Sequence, residues 1–281
     1  MTSGEQSETV QEHPDPEDSE ITILLIGKTG IGKSSAGNTI IQPSRSQFGE
    51  NPLVCEKKVR LRRYCRELGV IDTPGLFPTR LTAVEMKKQV ATCVSMCAPG
   101  PHVFLIVIDP KRFSREDQDL VEIIKKMFGE EAVRYTMVLF THRDQMERDG
   151  VSGERFLYFN PSFNELLSKC QGGYHVFNNN ENNLEENRRQ VDELVEKIDG
   201  MVQRNGGRRY TNTMFREAQR AVRREMAQYQ EPGPEKRRRA AEKNNSFIRA
   251  VEQAAAAAAA VGVAEVLEGV RATREDRCVT Q

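Results

Sequence analysis

The sequence predicts an α/β fold in which a mainly parallel central sheet is flanked by helices and followed by a C-terminal helical extension. Three observations predict it. Continuous apolar runs at Ile21–Ile26, Val103–Ile108 and Tyr135–Phe140 read as strands buried on both faces. Helical stretches alternate with those runs, the pattern of a parallel sheet covered on both sides. Beyond Gly207 strand character is lost and arginine-rich helical sequence follows.

Residues 1–20 are polar, acidic and proline-containing, the composition of a disordered leader. The first strand stops at Gly27, and a helix is expected over Lys33–Ile41. Val70-Ile71 before Asp72, and Tyr174–Phe177, are weaker strands of the same sheet. Thr82–Cys97 reads as helical up to the break at Pro99-Gly100-Pro101. Ser114 opens a helix that runs to Phe128, with Asp117 at capping-box spacing and Gly129 as the stop. Leu184–Gln203 puts Leu184, Val191, Leu194, Val195, Ile198 and Val202 on one face and ends before Asn205-Gly206-Gly207. Thr213–Tyr229 and the stretch from Glu235 through the alanine tract are the helices of the extension, separated by Glu231-Pro232-Gly233-Pro234. The expected organisation is a leader at 1–20, an α/β domain at 21–207, and a helical, partly disordered extension at 208–281.

Composition narrows the partners. Basic and acidic residues number 41 each, so the formal net charge is zero and gives no reason to expect nucleic acid. The N-terminus has neither the basic start nor the apolar core of a signal peptide, and no run approaches the roughly 20 apolar residues of a membrane span. The best candidate, Ala254–Ala264, is short, mostly alanine and closed by Glu265. The six cysteines form no zinc-type CxxC pairs and read as free thiols of a reducing compartment, which makes the expected location cytoplasmic. Cys93 and Cys97, one helical turn apart, read as the small buried face of a helix rather than half of a metal site.

The most specific signal is Gly27-Lys28-Thr29-Gly30-Ile31-Gly32-Lys33-Ser34, a phosphate loop that follows a strand and opens a helix. Glycines let the backbone wrap phosphates with its N–H groups inward. Lys33 is placed to reach the β- and γ-phosphates, and the Ser34 hydroxyl to ligate Mg²⁺. Gly27, Gly30, Ile31, Gly32 and Ser35 are assigned to the same cradle. Asp72-Thr73-Pro74-Gly75 is an ordinary turn by itself. After a phosphate loop, Asp72 becomes a carboxylate holding Mg²⁺ through water, and the Gly75 N–H a bond to the γ-phosphate. Gly75 also makes this segment a candidate switch. Thr141-His142-Arg143-Asp144 follows the third apolar run. Asp144 would accept from N1–H and N2–H₂ of guanine, donors that adenine lacks, while His142 covers the base face. Asn178, at the end of the last strand, is a weaker base contact, since asparagine runs are also common loop material. The implied cofactors are GTP or GDP with Mg²⁺.

These residues resemble the GTPases of immunity-associated proteins, relatives of septins and of plastid-import receptor GTPases. The resemblance rests on residues 27–40, on Ile71–Phe77, on the block Ala98–Ile108, Lys111–Gln118 and Phe128–Glu131, and on Phe140–Asp144, Tyr174–Asn179 and Tyr210–Phe215. It covers about Ile21 to Met226 and implies a P-loop GTPase (G domain) fold. One segment departs from the family pattern: Gly49–Lys58 has no threonine where the first switch normally supplies a second hydroxyl to Mg²⁺. Leu76 stands where a water-orienting glutamine is common in Ras-like enzymes, so intrinsic hydrolysis is expected to be slow. The resemblance further implies that G domains pair across their nucleotide faces, as homo- or hetero-oligomers. Arg112 matches the family's arginine supplied in trans; the alternative is a solvated loop arginine.

Three functions compete: a GTP-dependent switch or scaffold, a hydrolytically inert GTP-binding oligomerisation module, and an ATP-using P-loop enzyme that Asp144 disfavours. In the tail, Lys236-Arg237-Arg238-Arg239 reads as a solvated helix face, with a peripheral contact to anionic lipid or a nuclear signal as the alternatives. Cys278-Val279-Thr280-Gln281 has the outline of a prenylation box, with Thr280 where an aliphatic residue is preferred.

Overall fold

In the computed structural model, residues 20–41, 55–61, 66–73, 82–143, 155, 158–178, 183–229, 234–243 and 245–257 are described. The strands are β1 (Glu20–Ile26), β2 (Cys55–Leu61), β3 (Arg66–Asp72), β4 (Val103–Ile108), β5 (Thr136–Phe140) and β6 (Tyr174–Val176). The helices are α1 (Lys33–Ile41), α2 (Ala83–Cys97), α3 (Arg115–Phe128), α4 (Pro161–Lys169), α5 (Leu184–Arg204), α6 (Thr213–Met226), α7 (Pro234–Glu242) and α8 (Ser246–Ala257). The sheet order is β2-β3-β1-β4-β5-β6, parallel throughout except for β2, which runs antiparallel to β3. This is the predicted α/β fold with its helical C-terminal part.

The apolar runs form the three central strands, and every residue of β4 and β5 is buried. Because successive side chains on a strand point to opposite faces, each run feeds two cores. Leu24, Phe104, Ile106, Val138 and Phe140 face α2, α3, α4 and the helices after residue 207. Ile23, Leu25, Leu105, Val107 and Leu139 face α1 and α5. Each apolar side chain that α3 buries, from Leu120 to Phe128, contributes about 1.5–3 kcal/mol.

Several elements differ from expectation. Strand β2 was not expected: its sequence, CEKKVRL, is charged and lacks an apolar run, as suits an edge strand at the end of the sheet. Helix α4 was not expected either, although Asn160 caps it by accepting from the Ser162 N–H at 3.0 Å and Pro161 occupies its first turn. Residues Glu130–Tyr135 form a 3₁₀ helix, so β5 starts one residue later than predicted. Leu184, assigned to the buried face of α5, is exposed, whereas the other five named residues are buried. The stretch expected to be one helix from Glu235 is two, α7 and α8. Between them, Asn245 accepts from the Phe247 and Ile248 N–H groups, each at 3.1 Å, which starts a new helix.

The helices after residue 207 are fastened to the sheet by the block around Gly100. Tyr210 donates its N–H to the Pro101 carbonyl at 2.9 Å. Its hydroxyl and the Asn212 amide both donate to the Phe128 carbonyl, the latter at 2.8 Å, and Asn212 also caps α6. The Phe128 ring stacks on Phe215 and tilts against Phe104. Arg237 donates to the Met96 and Ala98 carbonyls at the C-terminal end of α2. It is therefore not part of a purely solvated face, although Arg238 and Arg239 are exposed. Cys93, Cys97 and Cys170 are buried; for Cys93 and Cys97 this agrees with the packing expected of them.

Gly100 allows this approach, because a Cβ there would lie 1.8 Å from the Tyr210 carbonyl oxygen, at φ +145°. Gly100→Ala is expected to cost about 3 kcal/mol, through overpacking and backbone strain. Thermal unfolding should then shift down by roughly 6–12 °C. A melting temperature within about 2 °C of the parent would contradict the packing described.

Candidate functional site

The predicted chemistry gathers at the carboxyl ends of the parallel strands because register aligns those ends. Leu25 pairs with Asp72, and Ile26 pairs with Ile106, so the loop after β1 begins level with the end of β3. Ile108 pairs with Phe140, and Phe140 with Val176, which aligns the segments after β4, β5 and β6. Thr73 reinforces the first alignment by donating its hydroxyl to the Leu25 carbonyl at 2.7 Å.

Between β1 and α1 the chain turns through Gly27, Gly30 and Gly32, whose φ values are 156°, 72° and 98°. Gly27 is also forced by space: a Cβ would meet the Val107 carbonyl oxygen at 2.8 Å. Ile31 is buried and anchors the loop, while Thr29 and Gly30 are exposed. Lys33, Ser34 and Ser35 occupy the first turn of α1, where backbone N–H groups lack intrahelical partners and the helix dipole favours an anion. Lys33 is buried, and its ammonium donates to the Lys28 carbonyl at 2.8 Å across the loop.

Ser34 donates its hydroxyl to Asp72 Oδ2 at 2.6 Å. The other carboxylate oxygen, Oδ1, is buried without a hydrogen-bond partner. Burial raises the Asp72 pKa against the opposing effects of the Ser34 bond and the Lys33 charge. Burial likewise lowers that of Lys33, against the attraction of Asp72. Each charge is thus held in a setting that disfavours it, which a polyanion over Lys33 and a cation near Asp72 would reverse. A hydroxyl beside a carboxylate with one unpartnered oxygen is a hard-oxygen donor set that fits Mg²⁺. No group of three or more His, Cys, Asp or Glu ligands occurs among the described residues.

At the other end of the site, Thr141 donates its hydroxyl to the Ile108 carbonyl at 3.2 Å, and its N–H to the same oxygen at 2.9 Å. His142 adopts φ 63°, an uncommon conformation for a non-glycine residue, with Nδ1 3.0 Å from Thr141 Oγ1. The Arg143 N–H donates to the Phe177 carbonyl at 3.1 Å, joining the segment after β5 to the one after β6. Asn178 is held there by Gln190, a residue sequence reading did not select. The fully buried Gln190 side chain accepts from the Asn178 N–H and donates to its carbonyl at 3.1 Å. A glutamine one residue before Val191, on the buried face of α5 with Asn187, was the available signal. Arg112 is exposed beside the phosphate loop, its guanidinium 3.4 Å from the Gly30 carbonyl. Gly75, Leu76, Asp144 and Cys278 lie outside the described residues, as do residues 49–54 of the first switch.

Known proteins resemble this chain in sequence and in fold. A family model described as the AIG1 family matches residues 21–230. The chain belongs to the AIG1 family. GTPase IMAP family member 8 of Homo sapiens is 33% identical over 198 residues, which cover 69% of this chain and 29% of that protein. Immune-associated nucleotide-binding protein 9 of Arabidopsis thaliana is 30% identical over 204 residues, 70% of this chain and 60% of that protein. This AIG1-family chain therefore spans less than two thirds of the length of these relatives. Among solved structures, Toc33 from Arabidopsis thaliana in complex with Mg²⁺ and GMPPNP superposes with a TM-score of 0.51. It is 20% identical and covers 66% of this chain and 85% of that one, a likeness of fold. The family agrees with the resemblance carried by the motifs.

His175 gives this AIG1-family chain a pH signature beside the site. Its ring is buried, with Nε2 3.0 Å from the Gln190 carbonyl. Burial, aided by the charges of Lys197 and Arg143, lowers its pKa to about 4. The unfolded chain takes up this proton near pH 6.5 and the folded chain only near 4, so stability is full above 6.5 and falls as pH drops between those values. Between pH 7 and 5 the loss should be about 2 kcal/mol. Denaturant unfolding at both pH values should show it, and His175→Gln should flatten the slope. An unchanged slope in that variant would contradict the assignment.

Proposed function

We propose that the chain is a guanine-nucleotide-binding switch or scaffold that self-associates through its G domain and hydrolyses GTP slowly or on dimerisation. The observation that carries this reading is the cluster of Lys33, Ser34 and Asp72 under a glycine loop at the first turn of α1. Lys33 would leave the Lys28 carbonyl for the β- and γ-phosphates. Ser34 would ligate Mg²⁺ directly and Asp72 through water, and bound Mg²⁺ would neutralise charge on the phosphate oxygens. The loop glycines, Ile31 and Ser35 would present N–H groups to the phosphates, with Gly75 closing on the γ-phosphate. Thr141, His142, Asp144 and Asn178 would form the base pocket, with Asp144 selecting guanine. The names of the relatives, and the nucleotide and Mg²⁺ in the Toc33 complexes, support the same cofactors.

Hydrolysis needs more than phosphate and Mg²⁺ binding supply. Leu76 cannot orient water, so charge developing in the transition state needs another source. Arg112 is 69% exposed at the rim of the phosphate loop, where a second G domain facing the nucleotide could receive it. The proposed setting is cytoplasmic. No helix among the described residues is long and apolar enough to cross a membrane. Any membrane contact would be peripheral, through the basic tail.

Single-turnover GTP hydrolysis should accelerate with protein concentration, and Arg112→Ala should remove at least about tenfold of that acceleration while GTP still binds. Flat, negligible turnover at every concentration with GTP bound would leave the inert oligomerisation module instead. Asp144→Ala should cut the preference for GTP over ATP roughly 30-fold or more in competition binding, since two bonds to a charged acceptor are lost. ATP competing equally with GTP in the parent protein would overturn the base assignment.

A further inference from the structure

Lys28 lies in the phosphate loop, and its side chain reaches the turn between β4 and α3. Its ammonium meets Asp117 Oδ2 at 2.7 Å, the Ser114 hydroxyl at 3.0 Å and the Arg112 carbonyl at 3.1 Å. Asp117 is completely buried, and its Oδ2 also accepts from the Ser114 N–H at 2.8 Å, while Oδ1 has no partner. One cation therefore joins two segments more than eighty residues apart, the loop after β1 and the turn between β4 and α3. That turn is a short 3₁₀ segment, Pro110–Arg112, capped by Asp109, which accepts from the Lys111 N–H at 3.0 Å. The Arg112 guanidinium reaches the Gly30 carbonyl at 3.4 Å, a longer contact between the turn and the loop.

We propose that Lys28 and Asp117 are a positioning pair that fixes the Pro110–Ser114 turn, and with it Arg112, against the phosphate loop. The inference rests on the reading of Arg112 as the residue that acts on a partner's nucleotide. A buried carboxylate without its cation is strongly disfavoured, so the pair holds the turn in one place whether or not nucleotide is bound. An arginine that must reach across an interface gains from such fixing, because less of its freedom is lost when the partner docks. Asp117 touches no nucleotide; it acts through Lys28 and the turn.

Asp117→Asn tests this, because the amide oxygen can still accept from the Ser114 N–H and preserve the helix start while the charge is removed. In the full chain bound to GDP, amide hydrogen exchange at Arg112, Phe113 and Ser114 should quicken at least about tenfold, with Ile106 in β4 unchanged as the internal reference. Equal acceleration at Ile106 would mean global destabilisation, and unchanged exchange in the turn would mean the pair fixes nothing; either result overturns the proposal. In single-turnover hydrolysis, Asp117→Asn should lower the concentration-dependent rate with GTP affinity within about threefold, and the double variant with Arg112→Ala should be no slower than Arg112→Ala alone. Additive losses would overturn the link to Arg112. If the parent protein shows no concentration dependence, the trans role of Arg112 fails, and the exchange measurement still decides whether the pair positions the turn.

Discussion

The site depends on strand register. Parallel pairing sets Leu25 beside Asp72 and Ile108 beside Phe140, so the loops after β1 and β3 leave the sheet together, as do those after β4 and β5. A slip of one residue would turn the side chains of a whole strand to the other face and carry Asp72 away from Ser34. The two apolar cores make such a slip costly, because residues alternating along β1 and β4 serve opposite faces of the sheet. The chemistry is therefore held in place by hydrophobic packing well below it.

Above the sheet, the structure concentrates buried charge. Lys33, Asp72 and Asp117 are withdrawn from water to different degrees, and each has a different answer to the cost. Asp117 has a cation in direct contact and a backbone N–H. Lys33 has a loop carbonyl, and Asp72 has a serine hydroxyl with one oxygen left over. Only the Asp117 arrangement has its countercharge within a direct ion pair inside the chain. Under the proposed function the other two would be stabilised most by charges from outside, a phosphate and a cation. That contrast separates groups that position from groups that bind.

The central strands and the helix starts were legible because they rest on local signals: apolar runs, and Ser114 with Asp117 at capping spacing. The phosphate loop was legible because its glycines and Lys33 answer a backbone demand that few other sequences meet. Strand β2 was not, since an edge strand needs no apolar run and owes its place to pairing with β3. Leu184 fitted the helical period but lies in the first turn of α5, beyond the surface that the sheet covers. Gln190 and Lys28 were the larger omissions. Their roles come from partners twelve and more than eighty residues away, and a polar residue on a buried helix face marks Gln190 without naming its partner.

The block from Ala98 to Glu131 shows why a long family pattern can be more specific than any single nucleotide motif. Gly100 and Pro101 receive Tyr210, the Phe128 carbonyl receives Tyr210 and Asn212, and the segment between them carries Arg112, Ser114 and Asp117. One face of the block thus anchors α6 and the other meets the phosphate loop. Both connections draw on the same continuous segment. In the proposed function, Leu76 cannot orient water, so the demand for charge stabilisation would fall on this block. A site that gripped a triphosphate by itself, but had to borrow an arginine to break it, would tie turnover to assembly.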